Sequence, residues 1–275
     1  MAVTVTFYGV RGSIPCCSPE YTEYGGNTAC VHVDLDGVPF IFDVGSGSRT
    51  LGEFLSRQKV KDITLLISHM HWDHICGFPF FLPIFDKDVN IRMYAPFQPD
   101  GTSAQRIMTR LMSSPFFPLP LKAVPSSLEF NNFQPPASFD LQESGVHIET
   151  FPLTHPSGAA GYRLNYNGKS ICYISDYEHS AAGAVADLAD FVKDADLMIY
   201  DAMYTPDEYR MKYTGWGHST WEQAALLTKA ANVKRTALFH HSPSRTDKML
   251  NSIEAEVKKK DERLFFAKEN IPLTV

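Results

Sequence analysis

The segment SHMHWDH, residues 68–74, constrains the fold of this chain more than any other feature of its sequence. It follows the apolar, β-branched run ITLLI, residues 63–67, which is typical of a buried strand. Three histidines and one aspartate occupy the six positions after Ser68. One histidine on a polar loop would mean little, but four such side chains in the order H-x-H-x-D-H predict a strand, a tight turn and a helix around a common site.

The chemistry of these four side chains indicates metal binding. Neutral imidazole and ionised carboxylate have free lone pairs and are good ligands for zinc, manganese or iron. A tight turn after the strand aims His69 and His71 at one point. The same turn aims Asp73 and His74 at a second point nearby. The motif therefore predicts two neighbouring metal ions rather than a structural cluster of polar side chains.

Further polar side chains stand where the apolar strands of the sequence end. Six strand ends carry a potential ligand or acid, namely Asp43, His69, His155, Asp176, Asp201 and His240. Strand ends tolerate polar residues, which explains one or two of these positions but not so many histidines and aspartates. Functional sites of layered folds gather at such edges. A dinuclear centre needs roughly seven protein donors, and the chain offers His69, His71, Asp73, His74, His155, Asp176 and His240.

Predicted strands and helices occur in two blocks. Alternating segments with turns at Asp36-Gly37 and Asn167-Gly168 predict two hairpins. Pro79 and Pro83 reduce the apolar stretch 77–85 to a short broken helix. Helices are predicted over 49–58, 104–112, 181–193, 219–233 and 247–259, the fourth capped by Ser219, with 264–275 as the last strand. This pattern predicts an α/β fold of two sheets packed face to face with helices outside.

The length of 275 residues suffices for one large domain, and no linker divides the chain, so we interpret residues 1–275 as a single domain. The proline-rich region 95–140 gives the weakest pattern. We interpret it as an insertion that serves as a lid, a specificity element or a dimer surface. Within it, the Pro/Phe-rich segment 113–120 is the candidate dimer contact.

The composition limits the cellular location and the binding partners that we expect. With 44% hydrophobic and 20% charged residues, no apolar run of about 20 residues and no basic segment at the start, we expect a soluble cytoplasmic protein without membrane contact. Five cysteines without a C-x-x-C pair predict reduced thiols, including the adjacent Cys16 and Cys17. A formal net charge of −6 favours a small anionic substrate over a nucleic acid.

Four motifs, taken in order, resemble the metallo-β-lactamase fold superfamily over essentially the whole chain. They are SHMHWDH, THP followed by GYR, ISD, and LFHHSP. The resemblance implies a four-layer αββα sandwich, frequently dimeric, that holds two divalent metal ions, with zinc favoured over manganese or iron. It implies one ion on His69, His71 and His155, a second on Asp73, His74 and His240, and Asp176 as the bridge. Between His240 and His241, alignment with the strand end favours His240.

A fifth segment refines the resemblance. GWGHSTWEQAA, residues 215–225, is similar to the G-H-S-T-x-x-x-A-A segment of ribonuclease Z and its phosphodiesterase relatives. This similarity implies that His218, oriented by Asp201, stabilises the transition state or protonates a leaving group. Asp73 is a candidate acceptor for the proton of the attacking water in addition to its role as ligand.

Hydrolysis of a small phosphodiester, including a cyclic nucleotide, by a hydroxide held between two metal ions is our principal functional hypothesis. Ribonuclease Z-like RNA processing is the nearest alternative. Thioester or lactone hydrolysis would use the same metals but give His218 no clear role. A non-catalytic metal-binding module would need neither a bridging carboxylate nor an open coordination position.

Overall fold

The strands form two β-sheets in the computed structural model, which describes residues 3–141, 144–179 and 182–275. In chain order they are β1 Val3–Gly9, β2 Cys30–Leu35, β3 Val38–Phe42, β4 Asp62–Leu66, β5 Asn90–Pro96, β6 Ser127–Phe133, β7 Ser138–Leu141, β8 Val146–Leu153, β9 Ala159–Tyr166, β10 Lys169–Ile174, β11 Leu197–Asp201, β12 Thr236–Phe239, β13 Leu264–Phe266 and β14 Pro272–Thr274. The first sheet has the order β14-β1-β2-β3-β4-β5-β6, and the second has the order β13-β12-β11-β10-β9-β8-β7.

The longer α-helices cover the outer face of each sheet, and the short ones lie near the ends of strands. The α-helices are α1 Ser48–Arg57, α2 Trp72–Ile75, α3 Ala104–Leu111, α4 Ala182–Phe191, α5 Pro206–Glu208, α6 Trp221–Ala230 and α7 Asp247–Lys260. Leu51 of α1 and Met108 of α3 belong to the apolar cluster on the first sheet. Leu188, Leu227 and Val257 bring α4, α6 and α7 into the cluster on the second sheet. Ala181, the first residue of the predicted helix 181–193, lies outside the described residues.

A third apolar cluster fills the space between the two sheets. Phe42 of β3 stacks on Tyr173 of β10 with ring centroids 4.8 Å apart, and Phe239 of β12 packs against Tyr173 at 5.8 Å. The layers are therefore helices, sheet, sheet and helices, which confirms the predicted αββα sandwich. Both predicted hairpins are present, since β2 pairs antiparallel with β3 and β9 with β10.

The end of the chain departs from the prediction of one last strand. Residues 264–275 form two strands in different sheets: β13 runs parallel to β12, and β14 pairs antiparallel with β1. The chain crosses between the sheets at Asn270, which has a left-handed φ of 62° and donates its backbone N–H to the carbonyl of Phe7. The sequence pattern does not reveal such a crossing, because Phe265 of β13 and Leu273 of β14 both pack against the cluster between the sheets.

The predicted cap of α6 is wrong by one residue. Thr220 is the N-cap, and its side chain accepts a hydrogen bond from the backbone N–H of Gln223. The hydroxyl of Ser219 lies within hydrogen-bond distance of His179 and Tyr200 instead, so it is not available to the helix end.

The region 95–140 contributes more to the sheets than its sequence indicates. Strand β6 forms one edge of the first sheet, paired in parallel with β5, and β7 forms one edge of the second sheet, paired with β8. Helix α3 occupies the predicted helical position. Edge strands are exposed on one side and follow prolines here, which explains why their pattern is weak. Among the described residues, no helix has the length and apolar character needed to cross a membrane.

Candidate metal centre

The ends of six strands meet at one edge of the sandwich. Strands β3 and β4 run parallel, as do β10, β11 and β12, so their carboxyl ends lie on the same side. All seven predicted ligands and the predicted pair His218 and Asp201 lie at this edge. The loop and short helix after β4 belong to the first sheet, whereas His155, Asp176 and His240 follow strands of the second sheet.

One group of ligands consists of His69, His71 and His155, whose ligand atoms lie within 4.8 Å of one another. Nε2 of His155 is 3.1 Å from Nδ1 of His71. His69 is buried, and its Nε2 has no hydrogen-bond partner in the part of the chain that the structure describes. A buried ring nitrogen without a partner is costly unless something binds it, so this group fits a metal ion.

A second group consists of Asp73, His74 and His240. Oδ2 of Asp73 is 3.5 Å from Nε2 of His74 and 3.3 Å from Nε2 of His240. The two Nε2 atoms are themselves 3.3 Å apart. Because two imidazoles and a carboxylate direct their lone pairs at one small volume, this group also fits a divalent cation.

Asp176 lies between the two groups and turns one oxygen toward each. Its Oδ1 is 3.2 Å from Nε2 of His74 and 3.3 Å from Nε2 of His240. Its Oδ2 is 3.7 Å from Nε2 of both His69 and His155. This is the position a bridging carboxylate needs, so the seven predicted ligands form two adjoining sets that share one residue.

The charges of the centre favour cations. Burial lowers the pKa of His69 well below its ordinary value, which keeps its ring neutral as a metal ligand must be. Burial acts in the same direction at His74, but Asp176, Asp73 and Asp43 outweigh it and raise the pKa of His74 well above the ordinary value. The negative charge of three carboxylates around one ring therefore favours the binding of a cation at this edge.

Asp43 holds the metal motif in place from behind. Its carboxylate accepts hydrogen bonds from the backbone N–H of Ser68 at 2.7 Å, the hydroxyl of Ser68 at 2.8 Å and the hydroxyl of Tyr173 at 2.8 Å. It also lies 2.7 Å from Nδ1 of His74, which leaves Nε2 of that ring for the centre. A carboxylate behind a ligating histidine fixes the orientation and the tautomer of the ring.

Three residues of the site have left-handed backbone conformations. Asp43, Asp176 and His240 have φ values of 58°, 57° and 60°. Asp43 and His240 follow β3 and β12 directly, and Asp176 is the second residue after β10. Such values are uncommon for residues other than glycine and cluster at functional sites. Asp176 and His240 direct their side chains into the centre from these positions, whereas Asp43 lies behind the ring of His74.

His218 lies beside the centre and is bound to Asp201. Its Nδ1 is 2.8 Å from Oδ2 of Asp201 and 3.8 Å from Oδ2 of Asp176. Asp201 is fully buried, and it also accepts hydrogen bonds from the backbone N–H groups of Tyr177 and Met203. Burial opposes protonation of His218, but the charge and hydrogen bond of Asp201 raise its pKa to about 9. With Nδ1 engaged, Nε2 is the ring nitrogen left to face a substrate.

Asp73 and His241 have environments that bear on their predicted roles. Oδ2 of Asp73 accepts a hydrogen bond of 2.7 Å from the backbone N–H of Ser13. Burial alone would raise the pKa of Asp73, but His74 and His240 hold it well below its ordinary value, which favours metal binding over proton acceptance. His241 points away from the centre, with Nε2 2.9 Å from the carbonyl of Ala267.

Comparison with known proteins identifies the family of the chain. Residues 41–241 match the family described as Beta-lactamase superfamily domain. The chain belongs to this superfamily. It is 24% identical to Ribonuclease Z of Sulfurisphaera tokodaii over 89% of each chain. Among solved structures it is similar to the metallo-beta-lactamase fold protein YhfI from Bacillus subtilis, with a TM-score of 0.72, 17% identity and full coverage of both chains.

A second solved structure extends the similarity. The chain is similar to the short form of human tRNase Z, with a TM-score of 0.70, 21% identity and coverage of 98% of both chains. At these identities the solved structures establish the fold alone. Together with the match over residues 41–241, they confirm the expected superfamily and its sandwich architecture.

Glu178 is a residue of the site that the sequence interpretation missed. Its carboxylate accepts hydrogen bonds from the backbone N–H groups of Gly215 at 2.5 Å and Gly217 at 2.7 Å. The carbonyl of Gly217 in turn lies 2.7 Å from Nδ1 of His155. Glu178 therefore positions the loop that orients one ligand and carries His218. Its only signal is its place two residues after Asp176 in ISDYE.

Replacing Asp43 with asparagine is expected to weaken zinc binding about 10- to 100-fold, because the amide cannot hold Ser68, Tyr173 and His74 as the carboxylate does. Competition with a chromogenic chelator measures this affinity. Asp62→Asn is the matched control, since Asp62 is an exposed residue at the opposite end of β4. Equal zinc affinities for the two variants would contradict the supporting role of Asp43.

Glu178→Gln is expected to lower both zinc affinity and turnover about tenfold, because the loop at Gly215 and Gly217 loses its anionic acceptor. Chelator competition and steady-state kinetics on the same preparation measure the two effects. Glu149→Gln, which alters a partly exposed carboxylate of β8, is the control. A loss of turnover without any loss of zinc affinity would show that the link from Glu178 to His155 is not functional.

Proposed function

We propose that this superfamily member is a metal-dependent hydrolase that cleaves small phosphodiesters, including cyclic nucleotides. One observation carries the proposal: a bridging carboxylate, Asp176, lies between two three-residue ligand groups, and the His218–Asp201 pair stands beside it. A structural metal site would need neither the bridge nor an adjacent proton donor. The arrangement instead supports attack by water on a substrate anion.

The ligand set would hold one divalent cation on His69, His71 and His155 and a second on Asp73, His74 and His240, with Asp176 shared. Zinc is the favoured metal, and manganese and iron are the alternatives, because imidazole and carboxylate suit all three. When bound, such a pair supplies Lewis acidity and lowers the pKa of water toward neutrality.

The proton of His218 completes the proposed reaction. A new bond forms between the oxygen of water and phosphorus, and the bond from phosphorus to the leaving oxygen breaks. The proton that the water loses replaces the one that His218 gives to the leaving group, so the ring is protonated again for the next turnover. The Asp201 carboxylate keeps His218 protonated near neutral pH, so Nε2 can donate its proton to the leaving alkoxide. The products are a phosphomonoester and an alcohol, or a linear nucleotide when the substrate is cyclic.

RNA processing is the second candidate function. It is favoured by the relative named Ribonuclease Z, which aligns with this chain over 89% of both lengths. The formal net charge of −6 favours a small substrate, because binding a long polyanion relies on many phosphate contacts from lysine and arginine. The lysine run 258–260 lies on α7, outside the centre.

An assay that compares three classes of substrate tests the proposal. Zinc-loaded protein is compared on bis(p-nitrophenyl) phosphate, a p-nitrophenyl ester and a lactone. We expect hydrolysis of the phosphodiester, whereas cleavage of the ester or the lactone alone would overturn the assignment. Parallel reactions with cyclic nucleotides, linear dinucleotides and a tRNA precursor then separate a small-molecule phosphodiesterase from an RNA-processing enzyme.

A further inference from the structure

The candidate ligands differ in their access to solvent. His69, His74, Asp176 and His240 are buried, whereas His71 is half-buried. Trp72 follows His71 directly, precedes Asp73, and is 57% exposed. The backbone of this exposed tryptophan lies next to two candidate ligands, because neighbouring Cα atoms are about 3.8 Å apart.

The ring of Trp72 also forms part of a cavity of about 490 Å³. We call it the aromatic cavity, and its lining includes Trp72, Phe80, Ile107, Arg110, Phe116 and Phe117. Phe80 and Phe117 meet edge to face with ring centroids 5.6 Å apart. The volume lies within the range of about 300–1,000 Å³ that is typical of small-molecule sites.

Several of these aromatic rings are exposed to solvent and lie close together. Phe80 is 58% exposed and Phe116 is 79% exposed, beside the 57% of Trp72. Clustered exposed apolar side chains mark binding surfaces, whereas single ones are ordinary. Phe85 is also exposed, at 40%, but does not line the aromatic cavity.

Arg110 gives the aromatic cavity its charge. It is exposed, and its guanidinium makes no ion pair with any residue in the ranges 3–141, 144–179 and 182–275. An uncompensated cation at the rim favours an anionic molecule, and the faces of the surrounding rings favour a planar aromatic group on that molecule.

We propose that the aromatic cavity binds a planar aromatic substituent of the phosphodiester while its phosphate lies at the metal centre. The inference rests on the proposed function for the position of the phosphate. Trp72 connects the two places, because it lines the aromatic cavity and is bonded to His71 and Asp73. The substrate class is thereby narrowed to phosphodiesters with an aromatic group, such as a nucleobase, close to the phosphate.

Equilibrium binding tests this inference without requiring turnover. Diphenyl phosphate and dimethyl phosphate are titrated into zinc-loaded protein by calorimetry. We expect diphenyl phosphate to bind about tenfold or more tightly, because its rings stack in the aromatic cavity. Phe116→Ala and Trp72→Ala should each reduce this preference to about threefold or less, and Phe85→Ala should leave it unchanged.

An equal loss of preference in the control Phe85→Ala, or an unchanged preference in both test variants, would overturn the inference. Light scattering is recorded on the same samples. If Phe116→Ala converts a dimer to a monomer while the preference persists, the exposed rings serve contact between two copies of the chain, and the substrate subsite is rejected. A preference for diphenyl phosphate in a protein that hydrolyses no phosphodiester would sustain the subsite and reject the proposed reaction.

Discussion

Asp176→Asn is expected to lower turnover at least about 1,000-fold and to reduce bound zinc from two ions to one or none per chain. Each oxygen of Asp176 faces a different ligand group, at 3.2–3.3 Å on one side and 3.7 Å on the other. An amide presents one weakly basic oxygen and one NH₂ group, so it can serve only one of the two sets. The loss of its negative charge would also leave the repulsion between two bound cations less well offset.

Elemental analysis after gel filtration and steady-state kinetics check this expectation. Asp196→Asn is a suitable control, because Asp196 is also a buried aspartate but binds Ser170 and Lys234 away from the centre. We expect that control to keep turnover within about twofold. A variant at position 176 that retains two zinc ions and normal activity would refute the bridging role.

His218→Ala is expected to reduce turnover about 100- to 10,000-fold while zinc content stays at two per chain. The ring makes its hydrogen bond to Asp201 and lies 3.8 Å from Asp176. It lies outside the two three-residue ligand groups, although its ligand atom is within 4.8 Å of those of Asp176 and His240. Its removal takes away the proton for the leaving alkoxide but leaves the ligands in place. The loss should therefore be smaller for p-nitrophenolate, which leaves as a stable anion, than for an alkyl leaving group.

His147→Ala supplies the matched control, since His147 is a partly exposed histidine on β8 that pairs with Asp140. Activity on substrates with alkyl and with p-nitrophenyl leaving groups is compared for both variants. Equal losses for the two leaving groups in His218→Ala would exclude proton donation and favour a role for His218 in binding the substrate anion. A fall in zinc content from two ions to one or fewer per chain would instead make His218 a ligand.

The sequence allowed the architecture and the membership of the candidate site to be predicted for a physical reason. Apolar strands that end in histidine or aspartate leave little choice about where those side chains meet, because parallel strands have their carboxyl ends on one edge. The positions of His69, Asp176 and Asp201 follow from this rule alone. The two hairpins could also be predicted, because the residue pairs Asp36-Gly37 and Asn167-Gly168 readily adopt the positive φ values of tight turns, and they do so here.

Other features of the fold and the site could not be predicted from the local sequence pattern. The left-handed conformations of Asp43, Asp176 and His240 are imposed by tertiary contacts and have no signature in a single sequence. Edge strands β6 and β7 bury one side at most, so their alternation is weak. Glu178 acts through backbone N–H groups at Gly215 and Gly217, and a glutamate in that place looks like any polar residue of a loop.

The candidate ligands come from both sheets, which links metal binding to the stability of the sandwich. His69, His71, Asp73 and His74 follow a strand of one sheet, whereas His155, Asp176 and His240 follow strands of the other, so bound cations would cross-link the two halves of the sandwich. Cation occupancy and the docking of the halves are then thermodynamically linked. A substitution that loosens the packing between the two sheets would therefore first increase the rate of cation release, and only a larger loss of packing would unfold the chain. This holds even when the substituted residue lies far from any ligand.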